Sequence, residues 1–474
     1  MSDDTKDTVL RVAGLKDLII DAVDGTTRLV ERTQESVVAR YVDPLLAIEP
    51  IADPVRLVDT VRRIGTAGVY STIRLVNFGV GLAADVGIAV AGHAIQASER
   101  TAEKREGESA TSAVTDPAAA DPEGDATNKL AVRRRDALAM SPLGWFADAA
   151  QGALNGFVGD YLEKRGNGLG IRMTFRKHGR ELPVDRESFQ RAISNPSRKV
   201  AVFVHGLSCT EQAWNVFAER FHGDRRTSFA TLLERDLGYT PLLVRYNTGL
   251  HVSENGRKLA ALLTELEAAY PVPIEELVLI GHSMGGLVAR SAAHYGSVES
   301  RAWKGSLRHV FCIGSPHLGA PLEKAVNVLS YALSRFDTPG TQIPAELLNN
   351  RSAGIKDLRF GYITDEEWQD KDPDALLEDN RCEVPFVDGV SYCFVASTLH
   401  RDPKHPLGDL LGDLLVRPAS AAGRCREPAR HLSFRVGKVF GGMHHFHLCN
   451  HPDVYEQLRA WLESDPAKPA LLGA

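Results

Sequence analysis

The stretch VLIGHSMGGLVAR, Val278 to Arg290, sets one serine among glycines, and its centre has the spacing G-x-S-x-G. An apolar run precedes it and an amphipathic pattern follows, so the spacing predicts a sharp turn from a strand into a helix. A serine at such a turn takes a strained backbone, and the small residues two before and two after it relieve the crowding. The turn would lift the Ser283 hydroxyl out of a sheet and set it beside a helix N-terminus, whose free N–H groups favour developing negative charge. The chemistry this suits is nucleophilic attack on an acyl carbonyl.

That attack needs an anion holder. VFVHGLS places His205, Gly206 and Leu207 directly after an apolar run. Gly206 lets the chain turn so that the Leu207 N–H points at the oxyanion, with the Met284 N–H as the second donor. His205 precedes the serine, and it is expected to brace this loop rather than act as a base.

It also needs a base and an acid, in the order serine, acid, histidine. The segment GGMHHFHLCNHPDVYEQLRAWL offers His444, His445, His447 and His451 between a late strand and a closing helix, and spacing alone does not choose among them. After the apolar run VSYCFVAST come Asp402, Asp409 and Asp413. The acid must fix the histidine tautomer and stabilise the imidazolium, which requires a carboxylate in a tight loop. Asp413 precedes an apolar pair that could pin such a loop.

The elements that must hold these groups alternate. VAVFVHG, TPLLVRYN, ELVLIGHS, RHVFCIGSPH, VSYCFVAST and LSFRVGKVF read as strands, and NGRKLAALLTELEAAY, GLVARSAAHYG and PDVYEQLRAWL as helices. Continuous apolar strands alternating with helices predict a mostly parallel sheet covered on both faces. Upstream, SPLGWFADAAQGALNGFVGDYL predicts an amphipathic helix, and IRMTFRKHGRELPV a hairpin.

The chain has 474 residues, enough for two folded regions. Residues 1–100 carry apolar positions at helical spacing, and the last part, Val69 to Gly92, is apolar enough to pack on other helices or to lie in a lipid interface. Residues 101–135 are rich in Ala, Asp, Glu, Pro and Ser, and read as a disordered linker. Residues 136–197 then form a helix and hairpin, 198–464 the main domain, and 465–474 a flexible tail. A net charge of -6 leaves no basic excess for nucleic acid. The six cysteines form no CxxC pair, which argues against zinc and for reduced thiols, although Cys382 and Cys393 are near enough in sequence for a disulfide. The N-terminus lacks the pattern of a signal peptide, so a cytoplasmic location is expected.

Taken together, FVHGL, YNTGLHVSENG, LIGHSMGGLVAR, GSPHLGAPL, GDLLVRPASA and HHFHLCNHPDVYEQLRAWL resemble the α/β-hydrolase lipases and esterases. The resemblance is nearest to bacterial proteins grouped with the alpha/beta domain of GPI inositol-deacylase-like enzymes, and it covers roughly Leu154 to Leu462. It implies an α/β-hydrolase fold, with Ser283 as nucleophile. It selects Asp413, through the Gly-Asp pair followed by two apolar residues and Ser420-Ala421, with Asp409 as runner-up. It selects His445 by its interval to the segment HPDVY, with His444 as the alternative. By the same resemblance GSPHLGAPL lines the pocket, with His317 in its wall, and residues 330–390 form a lid or cap insertion.

The expectation is a lipase- or esterase-like hydrolase of carboxylic esters, with Ser283, Asp413 and His445 as its triad. It needs no cofactor or metal, its partner is an ester or lipid substrate, and its N-terminal helices could rest on a membrane or lipid-body surface. A thioesterase or amidase would use the same site. A non-catalytic protein that binds lipid surfaces is the reading from another class.

Overall fold

The computed structural model describes residues 142–464 apart from 178, 322, 325–350, 376–377, 407, 409–411, 426 and 428–430. The expected N-terminal helices (1–100), linker (101–135) and tail (465–474) lie outside the described residues, as do 330–350 of the expected insertion. The chain divides into two compact units, Met1–Gln151 and Gly152–Ala474. Helix α1 (Pro142–Lys164) runs through that boundary and kinks at Val158, where φ is -133° and ψ is 21°.

The second unit is built on one sheet. Its edge is the predicted hairpin, β1 (Thr174–Lys177) and β2 (Arg180–Leu182), whose turn contains Gly179 with a φ of 76°. Helix α2 (Arg186–Ala192), capped by Asp185, leads to β3 (Lys199–Val204). Helices α3 (Ala218–His222) and α4 (Phe229–Leu237) precede β4 (Thr240–Arg245). Then α5 (Val252–Ala269), β5 (Glu276–His282), α6 (Met284–Val298) and β6 (Leu307–Ile313) follow in alternation. The chain finishes with α7 (Ala353–Asp357), β7 (Ser391–Thr398), α8 (Pro418–Ala421), β8 (Val436–Gly441) and α9 (Pro452–Glu463).

The strand order is β2-β1-β4-β3-β5-β6-β7-β8. From β4 to β8 every pairing is parallel, and the antiparallel pairings are those of β1, with β2 and with β4. This is the α/β-hydrolase fold, a mostly parallel sheet flanked by helices. Its central strands explain their own composition. In β3, Val200, Val202 and Val204 face a core shared with α5 and α6, while Ala201 and Phe203 face one shared with α4 and α9. Burial on both faces leaves no place for a polar position, so the run reads as continuously apolar. Each large side chain withdrawn in this way contributes roughly 1.5–3 kcal/mol.

One sequence expectation changes, and one open alternative closes. The last strand begins only at Val436, because Leu432–Phe434 leave the ladder and Phe434 packs edge-on against Phe386 and Phe394. Cys382 and Cys393 form no disulfide: Cys382 is an exposed free thiol whose Sγ meets the Asn380 carbonyl, and Cys393 is a buried free thiol in β7. No described helix is long and apolar enough to cross a membrane.

Candidate active site

Strand β5 ends at His282 and α6 begins at Met284, leaving Ser283 alone in the turn. Its backbone has a φ of 56° and a ψ of -125°, a region that non-glycine residues avoid unless the surroundings enforce it. A backbone contact helps enforce it here. The Ser283 N–H donates to the Ile313 carbonyl at the end of β6, at 2.7 Å. Glycine on either side permits the approach: a Cβ on Gly281 would lie 2.4 Å from the Gly285 backbone, and one on Gly285 would lie 2.1 Å from the Val204 carbonyl.

The loop after β3 closes against this turn, since a Cβ on Gly206 would sit 3.0 Å from that of Ser283. His205 braces the loop. It is fully buried, its Nδ1 donates to the Gly206 carbonyl at 3.0 Å, and it stacks on Tyr246 at 4.5 Å. Burial drops its pKa to about 3, so it stays neutral. Met284, as the first residue of α6, has no acceptor within the helix for its N–H. Leu207 makes no backbone hydrogen bond as a donor among the described residues.

Asp413 and His445 meet. His445 Nδ1 donates to Asp413 Oδ2 at 2.8 Å, with both side chains buried. The other oxygen, Oδ1, accepts from the N–H groups of Leu415 (3.1 Å) and Val416 (2.9 Å), and Ser397 Oγ lies 3.4 Å from Oδ2. Burial would raise this carboxyl, but the imidazole and these N–H groups outweigh it and hold the pKa below the ordinary carboxylate value. The apolar pair pins the loop only in part: Leu415 packs against the cluster of Phe394, Ala396 and Val416. Leu414 is exposed with a φ of 85°, and it is the backbone bonds onto the carboxylate, with Asp413 N–H donating to the Val416 carbonyl, that close the turn.

His445 lies against the serine turn from the other side. A Cβ on Gly314, next to Ile313, would be 3.1 Å from its Cε1. His282 Nε2 donates to the His445 carbonyl at 3.2 Å, and the two rings are 4.6 Å apart. The His445 Nε2 is buried and makes no hydrogen bond. The arrangement therefore presents an imidazole with one nitrogen fixed on a carboxylate and the other free, beside a strained serine.

The remaining candidates sit elsewhere. His444 and His447 stack on each other (3.5 Å) and on Phe217, and His451 caps α9 by accepting from Asp453 N–H. Asp402 is exposed and accepts from Lys404 N–H, and Asp409 lies outside the described residues. His317 is buried and accepts from Arg290, in keeping with a place in a wall. Among the described residues no group of three or more His, Cys, Asp or Glu is placed to hold a metal ion.

Sequence reasoning missed His282. It is fully buried against Trp214, and burial first, with His445 nearby, drops its pKa to about 3. The signal was its place between Gly281 and Ser283, where a side chain must point back under the turn. The described part of the expected insertion is also tighter than its polar composition suggests. Arg351 and Arg359 form a buried cluster with Glu323 at 2.9 and 3.6 Å, and a Cβ on Gly354 would meet Met284 at 3.0 Å. Ser420 in α8 donates to the Gly319 carbonyl at 2.8 Å and accepts from Leu318 N–H, tying the segment after Asp413 to the loop after β6.

A relative from the yeast Yarrowia lipolytica, GPI inositol-deacylase A, is 29% identical over 103 residues, which cover 20% of this chain and 9% of that protein. Its source is a yeast, so it does not carry the bacterial grouping that the sequence suggested. Among solved structures, the mature lipase BlEst2 of Bacillus licheniformis is 19% identical, covering 56% of this chain and 93% of its own, with a TM-score of 0.35. Phospholipase PlaB from Legionella pneumophila is 15% identical, covering 55% and 58%, with a TM-score of 0.33. Likeness at this level carries nothing about activity. Residues 196–370, a little more than a third of the chain, match the family model described as the PGAP1-like alpha/beta domain.

Proposed function

We propose that the chain is a serine hydrolase of carboxylic esters, with Ser283 as nucleophile, His445 as general base and Asp413 as its orienting acid. The observation that carries this is the buried His445–Asp413 pair, with its second nitrogen unpartnered, beside a serine held at a φ of 56°. The Ser283 hydroxyl attacks the ester carbonyl and gives its proton to His445 Nε2. The imidazolium that forms is stabilised by Asp413, and the N–H groups of Leu207 and Met284 receive the carbonyl oxygen as it becomes an oxyanion. His445 then protonates the departing alcohol. In the second half, a water loses its proton to His445 and its oxygen attacks the acyl-serine, releasing the acid and restoring Ser283.

The name of the yeast relative, an inositol-deacylase, agrees with the removal of an acyl group from an alcohol. Lipid-like esters are the substrates we favour, with residues 330–390 as a cover that excludes water and residues 1–100 as the segment that meets a lipid surface. The test is hydrolysis of p-nitrophenyl esters of rising acyl length by wild type and Ser283→Ala. Turnover that rises with chain length and vanishes in the variant supports the reading. Absence of turnover in wild type across the series, with detergent present, contradicts it.

A further inference from the structure

A cavity of about 350 Å³ opens beside α6, with Arg290, His317, Ile363, Val384, Phe386 and Leu432 in its wall. Arg290 lies seven residues beyond Ser283 on α6, roughly 10 Å along the helix axis. It is a buried guanidinium, 6% exposed. Among the described residues its side chain has two partners, His317 Nδ1 at 3.0 Å and the ring of Phe386 at 5.2 Å. Neither carries negative charge. A buried cation is costly unless an anion balances it.

The Glu367 carboxylate favours the Arg290 charge from a distance, without pairing with it. Glu367 shares the cavity wall, but its carboxylate accepts from the N–H groups of Ile363 (2.5 Å), Thr364 (2.8 Å) and Cys382 (3.1 Å) and forms no ion pair with Arg290. Arg381 is committed to Asp379 at 2.6 Å. His317 adds to the imbalance. Arginine only donates, so His317 Nδ1 must accept and its ring proton sits on Nε2, a buried donor with no hydrogen-bond partner. Arg290 therefore has a neutral acceptor but no ion pair, and the buried His317 Nε2 proton has no acceptor among the described residues.

We propose that this cavity is a binding site for a small organic carboxylate, whose head group meets the Arg290 guanidinium and whose apolar body lies along Ile363, Val384, Phe386 and Leu432. The planar fork of arginine matches the two oxygens of a carboxylate. A single negative charge suits the site better than a dianion, because Glu367 and Glu383 share its wall. The apolar wall favours a carbon chain over an inorganic ion. The proposal goes beyond the hydrolase reading and does not depend on it.

Isothermal titration calorimetry on the full chain tests it, with octanoate, octanol and inorganic phosphate as probes. Saturable binding of octanoate is expected, equal in wild type and Ser283→Ala, and weaker by more than about tenfold in Arg290→Gln and to a lesser degree in Arg290→Lys. Octanol and phosphate should bind far more weakly. The comparison of octanoate with octanol in wild type keeps the test intact if the Arg290 variants do not fold. Loss of octanoate binding in Ser283→Ala would place the probe at the serine and overturn the proposal. So would octanol binding as well as octanoate, phosphate binding as well as octanoate, or no saturable binding in wild type. Failure of the hydrolase reading would show instead in the ester assay, with this binding unchanged.

Discussion

The molecule holds two histidine–aspartate pairs of nearly the same geometry, set in different surroundings. His445 meets Asp413 at 2.8 Å, and His251 meets Asp357 at 3.0 and 3.1 Å. In both, the carboxylate is buried and also accepts from backbone N–H groups. The difference lies in what surrounds the imidazole. His251 stacks face to face on Trp368 at 3.6 Å and stands at the N-terminus of α5, where Asp357 also takes the Val252 N–H. His445 leaves Nε2 unpartnered next to a strained serine. A histidine–carboxylate pair is thus no mark of catalysis by itself. One pair clamps a helix end to the segment after residue 350, and the other is the base and acid of the proposed mechanism.

The sharpest way to break this contrast is to remove each histidine. His445→Ala should lower kcat/KM for an ester substrate by about 10³-fold or more, while His251→Ala should stay within about threefold. The carboxylates should then differ in activity rather than in stability. Asp413→Asn should cost roughly 10³-fold in kcat by disturbing the tautomer, along with a loss of stability from the buried charged acceptor. Asp357→Asn should keep activity and lose about 1–3 kcal/mol of stability, read from denaturant unfolding, because a charged buried acceptor is lost.

The pH dependence sharpens the comparison further. Burial would lower the His251 pKa, but the Asp357 carboxylate outweighs it and holds the group above its ordinary 6.5. A raised folded pKa means that the stability protonated His251 contributes is complete below 6.5 and is lost as pH rises through the folded value. Burial raises the Asp357 carboxyl above 3.8, so its charge is withdrawn earlier on the acid side. The stability gap between wild type and Asp357→Asn should therefore narrow on going alkaline. Asp413 behaves in the opposite sense. Its pKa is held below 3.8, so its contribution is present above that value and fades only as pH falls through the lowered one. The smallest effect belongs to the runner-up residue. His444→Ala should change kcat/KM by less than about threefold, since its ring contacts are with His447 and Phe217.

What was legible in the sequence follows from local physics. Strands buried on both faces announce themselves as apolar runs, and the Gly281–Gly285 spacing reports a backbone crowding that the structure displays. The order of serine, acid and histidine narrowed the candidates, but residue types alone left three aspartates and four histidines open. What stayed hidden depends on distant partners. His251 and Asp357 are 106 residues apart, and nothing in either neighbourhood signals the other. The same holds for Arg290 and His317, and for Glu323 with Arg351 and Arg359, whose charges read as solvent-facing until the fold buries them. The late start of β8 escaped notice because Phe434 fits a strand pattern while packing outside the ladder.

The most direct measurement is the rate at which a fluorophosphonate labels the chain, with the modified residue located by peptide mass spectrometry, in wild type, His445→Ala and His251→Ala. Labelling on Ser283, equally fast in wild type and His251→Ala and nearly absent in His445→Ala, is the predicted result. Labelling at another residue, or equal rates in all three proteins, would contradict the assignment of Ser283 and His445 to the chemistry.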